Sequence, residues 1–214
     1  MTRAMYAFED KMAQGGMAAV DAATGFFMRD DPVNRSLRQV AGKLHDLQIP
    51  YAISDGMALV AHGYDRTSVD IDILVTPEGL STIHQQLEGL GYVPPFTNSK
   101  NLRDTGTGVH IEFLVTGQYP GDGKPKPIAF PDPAAAGVEI DGIRYLQLPR
   151  LVELKLASGM TNPGRLKDLA DVQEIIRVRR LPLAFADQLH EYVREKFREL
   201  WQAVQASDEG EHQT

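Results

Sequence analysis

The chain has 214 residues, with 22 Lys and Arg against 29 Asp and Glu, a formal charge of −7 and no cysteine. The missing cysteines exclude disulfides, thiolate metal sites and a cysteine nucleophile. The acidic balance excludes a generic polyanion binder, so any nucleic-acid contact needs a local basic patch.

Residues 1–30 are rich in Met, Ala and Gly and weakly periodic, which predicts an N-terminal arm or helix. Glu9, Asp10 and Lys11 fall where a signal peptide needs its apolar region, and no stretch reaches the ~18 apolar residues of a membrane span. A cytoplasmic protein without a membrane partner is therefore expected. Asp31-Pro32 has the form of a helix start, and Val33, Leu37, Val40, Leu44 and Leu47 then mark one apolar stripe. Tyr51-Ala52-Ile53 reads as a buried strand that breaks at Asp55-Gly56, and a short helix follows from Met57 to His62, closed by Gly63.

The next stretch, Val69-Asp70-Ile71-Asp72-Ile73-Leu74-Val75, alternates. In a strand, alternation sends Val69, Ile71 and Ile73 to one face and Asp70 and Asp72 to the other, about 6.5–7 Å apart. Two like charges on one strand face repel, and Asp is a poor strand former. A cation between them removes the conflict, and oxygen-only ligands suit Mg²⁺ or Mn²⁺. The turn after Ile53, with helix N–H groups facing out, suits a phosphate.

Thr76-Pro77-Glu78 opens another helix, with Leu80, Ile83, Leu87 and Leu90 as its buried face. Tyr92 to Phe96 reads as a short edge strand because Pro94 and Pro95 bar it from the middle of a sheet. Asn98 to Gly108 reads as a mobile polar loop holding Lys100, Arg103 and Asp104. Val109 to Val115 is the next strand, with His110, Glu112 and Leu114 sharing a face. Residues 117–137 form a Gly/Pro loop with Lys124 and Lys126, and 138–146 reads as a hairpin turning at Asp141-Gly142. From Pro149 the chain reads as helical: one helix to Gly159, a second from Arg165 to about Arg177, and a third over roughly 183–205. In the third, Phe185, Leu189, Tyr192, Val193, Phe197, Leu200, Trp201 and Val204 recur at threes and fours, a core or dimer stripe. The expected layout is an arm over 1–30, a mixed-sheet α/β core over 31–147, a helical region over 148–206 and a disordered tail over 207–214.

The string Gly56-Met57-Ala58, His62-Gly63, Arg66-Thr67-Ser68 and Asp70-Ile71-Asp72 resembles the polymerase-beta-type nucleotidyltransferases, and most of all their minimal and abortive-infection-toxin-like branch. The resemblance covers about residues 35–178 and includes Leu154-Lys155-Leu156 and Arg165-x-Lys167-Asp168-x-x-Asp171. It implies an α/β (α+β) fold, a mixed sheet flanked by helices. It also implies transfer of a nucleoside monophosphate from a nucleoside triphosphate to an acceptor hydroxyl on tRNA, protein or a small molecule. Asp70, Asp72 and Glu112 would be the catalytic carboxylates and would hold two Mg²⁺ or Mn²⁺ ions, with Glu112 on a strand next to the Asp pair. Ser54, Gly56, Arg66, Lys155, Lys167 and Asp168 would bind the nucleotide or its phosphates. A toxin or phage-defence role with an antitoxin partner is the biological setting implied.

The residues also carry plainer readings. Arg66 suits a loop anchor as well as a phosphate contact. Lys155 is a cation on an apolar helix, where such side chains usually snorkel to solvent. Lys167 and Asp171, at i and i+4, suit a surface ion pair. His62 and His110 read as structural. The sequence departs from the family pattern at Asp55, where a glycine is usual, and a helix N-cap is the simplest use of that carboxylate. This departure motivates an alternative, an inactive nucleotide-binding or regulatory module. A metal-dependent phosphohydrolase is a third reading.

Overall fold

The computed structural model describes residues 31–211 and, ahead of them, Gly16, Met17, Ala23 and Gly25. The expected arm over 1–30 otherwise lies outside the described residues. Helix α1 (Pro32–Asp46) starts where Asp31 Oδ1 accepts from the backbone N–H groups of Val33 and Asn34, at 2.7 and 3.2 Å. Its stripe of Val33, Leu37, Val40 and Leu44 is buried. Strand β1 (Tyr51–Ser54) runs directly into the short helix α2 (Asp55–Ala61). Strand β2 (Asp70–Val75) follows, and then α3 (Pro77–Leu87), capped by Thr76 Oγ1 on the N–H of Gly79 at 3.0 Å.

Next come β3 (Tyr92–Val93), β4 (Leu102–Asp104) and β5 (His110–Val115). The one-turn helix α4 (Pro133–Ala136) leads into the hairpin of β6 (Gly137–Ile140) and β7 (Ile143–Leu146). Asp141 and Gly142 both have positive φ, 50° and 77°, as a two-residue hairpin turn requires. The chain closes with α5 (Leu148–Thr161), α6 (Leu166–Arg179) and α7 (Glu191–Glu211), with short 3₁₀ turns at Pro163–Arg165 and Leu183–Gln188.

The strands form one mixed sheet in the order β3-β4-β5-β2-β1-β7-β6. Strands β2 and β5 are parallel, as are β1 and β7; the other pairs are antiparallel. The α/β expectation holds. One register places the site: Ser54 pairs with Asp72 across β1 and β2, and Asp72 pairs with Glu112 across β2 and β5. Paired residues on adjacent strands point to the same face. Ser54, Asp72 and Glu112 therefore form a row across the sheet, while the next row, Ile53, Ile73 and Phe113, is fully buried on the opposite face.

Three expectations are corrected. The polar stretch from Asn98 to Gly108 is not a mobile loop: Leu102–Asp104 is β4, and Asp104 is a buried acceptor for Ser36 Oγ at 2.7 Å and for the N–H of Gly106 at 2.8 Å. The last helix is not continuous from 183. The buried Glu153 of α5 accepts from the backbone N–H of His190 at 2.6 Å, and the chain breaks there before α7 begins. Its apolar stripe is core: Phe185, Leu189, Val193, Phe197, Leu200 and Val204 are buried. Finally, α7 continues to Glu211, beyond the expected end of order at Ser207.

Candidate active site

Strand β1 ends, and strands β2 and β5 begin, at the same end of the sheet. This brings Asp70, Asp72 and Glu112 together with α2 and the first turns of α6. Two adjoining chambers of about 270 and 250 Å³ open here, and both are lined by Asp55, Asp72, Glu112, Arg165 and Asp168. The first extends towards Lys100, Tyr119 and Phe130. The second extends to Gly56, Arg66, Ser68, Asp70, Lys167 and Asp171. The sequence-predicted residues thus gather at one cleft.

The carboxylate wall is a concentration of negative charge. Asp72 is held well above the usual carboxylate range, first by burial and then by the negative charges of Asp55, Asp70 and Glu112, which Lys155 only partly offsets. Ser68 is buried and its hydroxyl lies 3.2 Å from both the backbone oxygen and Oδ1 of Asp70, which fixes the start of β2. Gly56 is needed beside it: a Cβ there would meet Ser68 Oγ at 2.5 Å and Ser68 Cβ at 3.0 Å. The donor set of Asp70, Asp72 and Glu112 is all oxygen, the chemistry a hard divalent cation takes, and a cation's charge would relieve the repulsion at Asp72.

Lys155 does not snorkel. It is buried on α5 and bound by three aspartates: Asp55 Oδ1 at 2.6 Å, Asp171 Oδ2 at 2.8 Å and Asp168 Oδ1 at 3.0 Å. Burial alone would lower its pKa. The charges of Asp55, Asp168 and Asp171 more than reverse this, so the ammonium form is secured. Asp168 also accepts from Ser158 Oγ at 2.6 Å, and Asp171 from Arg66 Nη1 at 2.7 Å. Arg66 therefore anchors its loop to α6 while lining the cleft.

Two readings of the sequence are corrected here. Asp171 makes no surface pair with Lys167. It is buried against Lys155 and Arg66, and Lys167 is exposed at the cleft rim without an ion pair among the described residues. Asp55 is not the N-cap: Ser54 holds that position, and the Asp55 carboxylate turns to Lys155 instead. Burial pushes Asp55 up, but Lys155, and then Arg66 and Arg165, hold it below the usual carboxylate range. Its backbone has φ 44°, the left-handed region where glycine is unstrained and Asp is among the better-tolerated alternatives.

Among the described residues, Asp55, Asp168 and Asp171 are the one acidic trio whose oxygens all lie within 4.8 Å of one another. That position is filled by the Lys155 ammonium, so the trio's charge is already matched by a cation of the chain itself. Asp70, Asp72 and Glu112 share one wall but are not drawn together to that spacing.

His62 donates from Nε2 to the carbonyl of Leu146 at 2.7 Å, tying α2 to β7, and burial lowers its pKa. His110 pairs in register with Asp70 on the neighbouring strand. Sequence reasoning gave Ser68 no role of its own and missed the inward turn of Asp171. The signal for the latter was Asp168 and Asp171 at i and i+3, which share a helix face.

No protein-family model matches the chain, and no curated protein matches it in sequence. Solved structures similar to it include nucleotidyltransferase-like proteins. One is ANT(2″)-Ia in complex with adenylyl-2″-tobramycin, at 13% identity over 81% of this chain and 97% of that one, with a TM-score of 0.49. A second is JHP933 from Helicobacter pylori, at 14% identity over 82% and 91%, with a TM-score of 0.44. A third is an antigenic nucleotidyltransferase-like protein from Paracoccidioides brasiliensis, at 16% identity over 67% and 74%, with a TM-score of 0.43.

Proposed function

We propose that this cleft transfers a nucleoside monophosphate from a nucleoside triphosphate to an acceptor hydroxyl. The observation that carries the reading is the register of β2 and β5, which sets Glu112 beside Asp72 on the face that also bears Asp70. The motif string from Gly56 to Asp72 supports it, since the resemblance assigns these same residues to one site. In the reaction the acceptor oxygen forms a bond to the α-phosphorus, the bond from that phosphorus to the bridging oxygen breaks, and pyrophosphate leaves. Bound to Asp70, Asp72 and Glu112, a pair of divalent ions would activate the attacking oxygen and stabilise the leaving group. Glu112, on the chamber that reaches towards Tyr119 and Phe130, receives the hydroxyl proton. Arg66, Arg165 and Lys167 line the other chamber and suit the triphosphate.

The acceptor is a hydroxyl on a tRNA end, a protein or a small molecule. A tRNA contact needs a basic patch, and one candidate cation, Lys126, is instead paired with Asp122 and held by Pro120 and Thr161. A toxin role with an antitoxin partner is the setting that fits the resemblance. A second reading, a nucleotide-binding regulatory module without turnover, is favoured by one observation: every N–H of the Lys155 ammonium is bound by an aspartate.

The test incubates the protein with each α-labelled triphosphate, Mg²⁺ and cellular extract, beside an Asp70→Asn, Asp72→Asn variant. Label joined to tRNA, protein or a small molecule only with the intact pair supports transfer. Nucleotide binding without transfer supports the module.

A further inference from the structure

A lysine ammonium has three N–H donors. In Lys155 all three are taken, by Asp55, Asp168 and Asp171, so no donor is left for a ligand in the cleft. The three acceptors are not equivalent. Asp168 is also held by Ser158 and Asp171 by Arg66, and their side chains are 8% and 4% exposed. Asp55 is 32% exposed, and its carboxylate has no second hydrogen-bond partner among the described residues. It also stands on a left-handed backbone, φ 44°, at the wall shared by both chambers. Of the three, it is the one an incoming group can displace.

A carboxylate oxygen and a phosphate oxygen are chemically alike here, since both accept charge-assisted hydrogen bonds from an ammonium. A polyphosphate entering the cleft meets Asp55 where it needs Lys155. It also meets an extra negative charge in a site already crowded by Asp70, Asp72 and Glu112. We propose that Asp55 is an internal stand-in for the ligand's phosphate: it occupies Lys155 in the free protein and gives way when a polyphosphate binds. This rests on the reading of the cleft as a triphosphate seat and makes that seat self-blocked. Asp168 and Asp171 keep Lys155 charged and in place after Asp55 leaves, so the seat is assembled before the ligand arrives.

The test measures binding of inorganic tripolyphosphate in excess Mg²⁺ by calorimetry, to the full chain and to Asp55→Asn and Asp55→Gly variants. Glycine suits φ 44°, so that variant removes the carboxylate without adding strain. Both variants should bind at least tenfold more tightly than the parent. Adding Lys155→Met to Asp55→Asn should abolish the gain. A purely structural Asp55 would leave affinity unchanged or weaken it. Unchanged or weaker binding by the folded variants overturns the inference, and so does a gain that survives Lys155→Met. A second measurement uses the parent protein alone: the side-chain carboxyl carbon signal of Asp55 should move when tripolyphosphate is added, and a fixed signal at saturation overturns the inference.

Neither readout needs turnover. A protein that binds tripolyphosphate in this way but transfers no nucleotide keeps this inference and refutes the transferase reading. Transfer without any effect at Asp55 does the reverse.

Discussion

Replacing Asp72 by Asn should stabilise the metal-free protein while removing the proposed nucleotidyl transfer. Asp70 and Asp72 are two residues apart on one face of β2, and Glu112 is paired with Asp72 on β5. At about 7 Å and an effective dielectric of about 20, one like-charge pair costs about 2 kcal/mol. Asn keeps the shape and removes the charge. For a chain of this size, about 2 kcal/mol corresponds to a rise in Tm of about 4–8 °C. The effect has a defined pH dependence. The folded-state pKa of Asp72 is raised by burial and by Asp55, Asp70 and Glu112. Its contribution is therefore most favourable below the ordinary carboxylate range, near pH 4, and is lost as pH rises through the raised value. The advantage of Asp72→Asn should therefore grow as pH rises from 4 and shrink as pH falls back towards it. Mg²⁺ should raise the Tm of the parent and close the gap. The assay is thermal unfolding with EDTA or Mg²⁺ between pH 4.5 and 8. A lower Tm for the variant at pH 8 in EDTA, or a difference independent of pH, would refute the electrostatic reasoning.

Other substitutions test the supporting structure. Lys155→Met leaves buried Asp168 with Ser158 and Asp171 with Arg66 but takes away the cation they share, and should cost about 3–5 kcal/mol, read by denaturant melts. Gly56→Ala should cost about 1–3 kcal/mol through the clash with Ser68, and Ser68→Gly should restore part of it. Ser36→Ala leaves buried Asp104 without its 2.7 Å partner and should cost about 1–3 kcal/mol, with no change in tripolyphosphate binding per folded molecule.

Much of the candidate cleft's placement was legible because its residues obey local rules. The alternation through Asp70 and Asp72 fixed their shared face, Asp141-Gly142 gave the hairpin, and Asp31-Pro32 gave the start of α1. What escaped was decided at long range. The partner of Asp55 is Lys155, 100 residues away, and a capping rule sees only the next turn of helix. Strand β4 is three residues long and exists because β3 and β5 flank it, so no periodicity announces it. The break before α7 follows from Glu153 on another helix gripping the backbone of His190. The apolar stripe runs through that break unchanged, which is why periodicity alone reads it as one helix.

The most direct test of the central claim is to give the protein Mg²⁺, cell extract and a triphosphate labelled at the α position in one reaction and at the γ position in another. Nucleotidyl transfer at the Asp70, Asp72 and Glu112 cleft predicts that the α label becomes covalently attached to an acceptor while the γ label is released as pyrophosphate, with both signals lost in Asp72→Asn. Release of the γ label as orthophosphate with no attachment of the α label would contradict it and identify a phosphohydrolase.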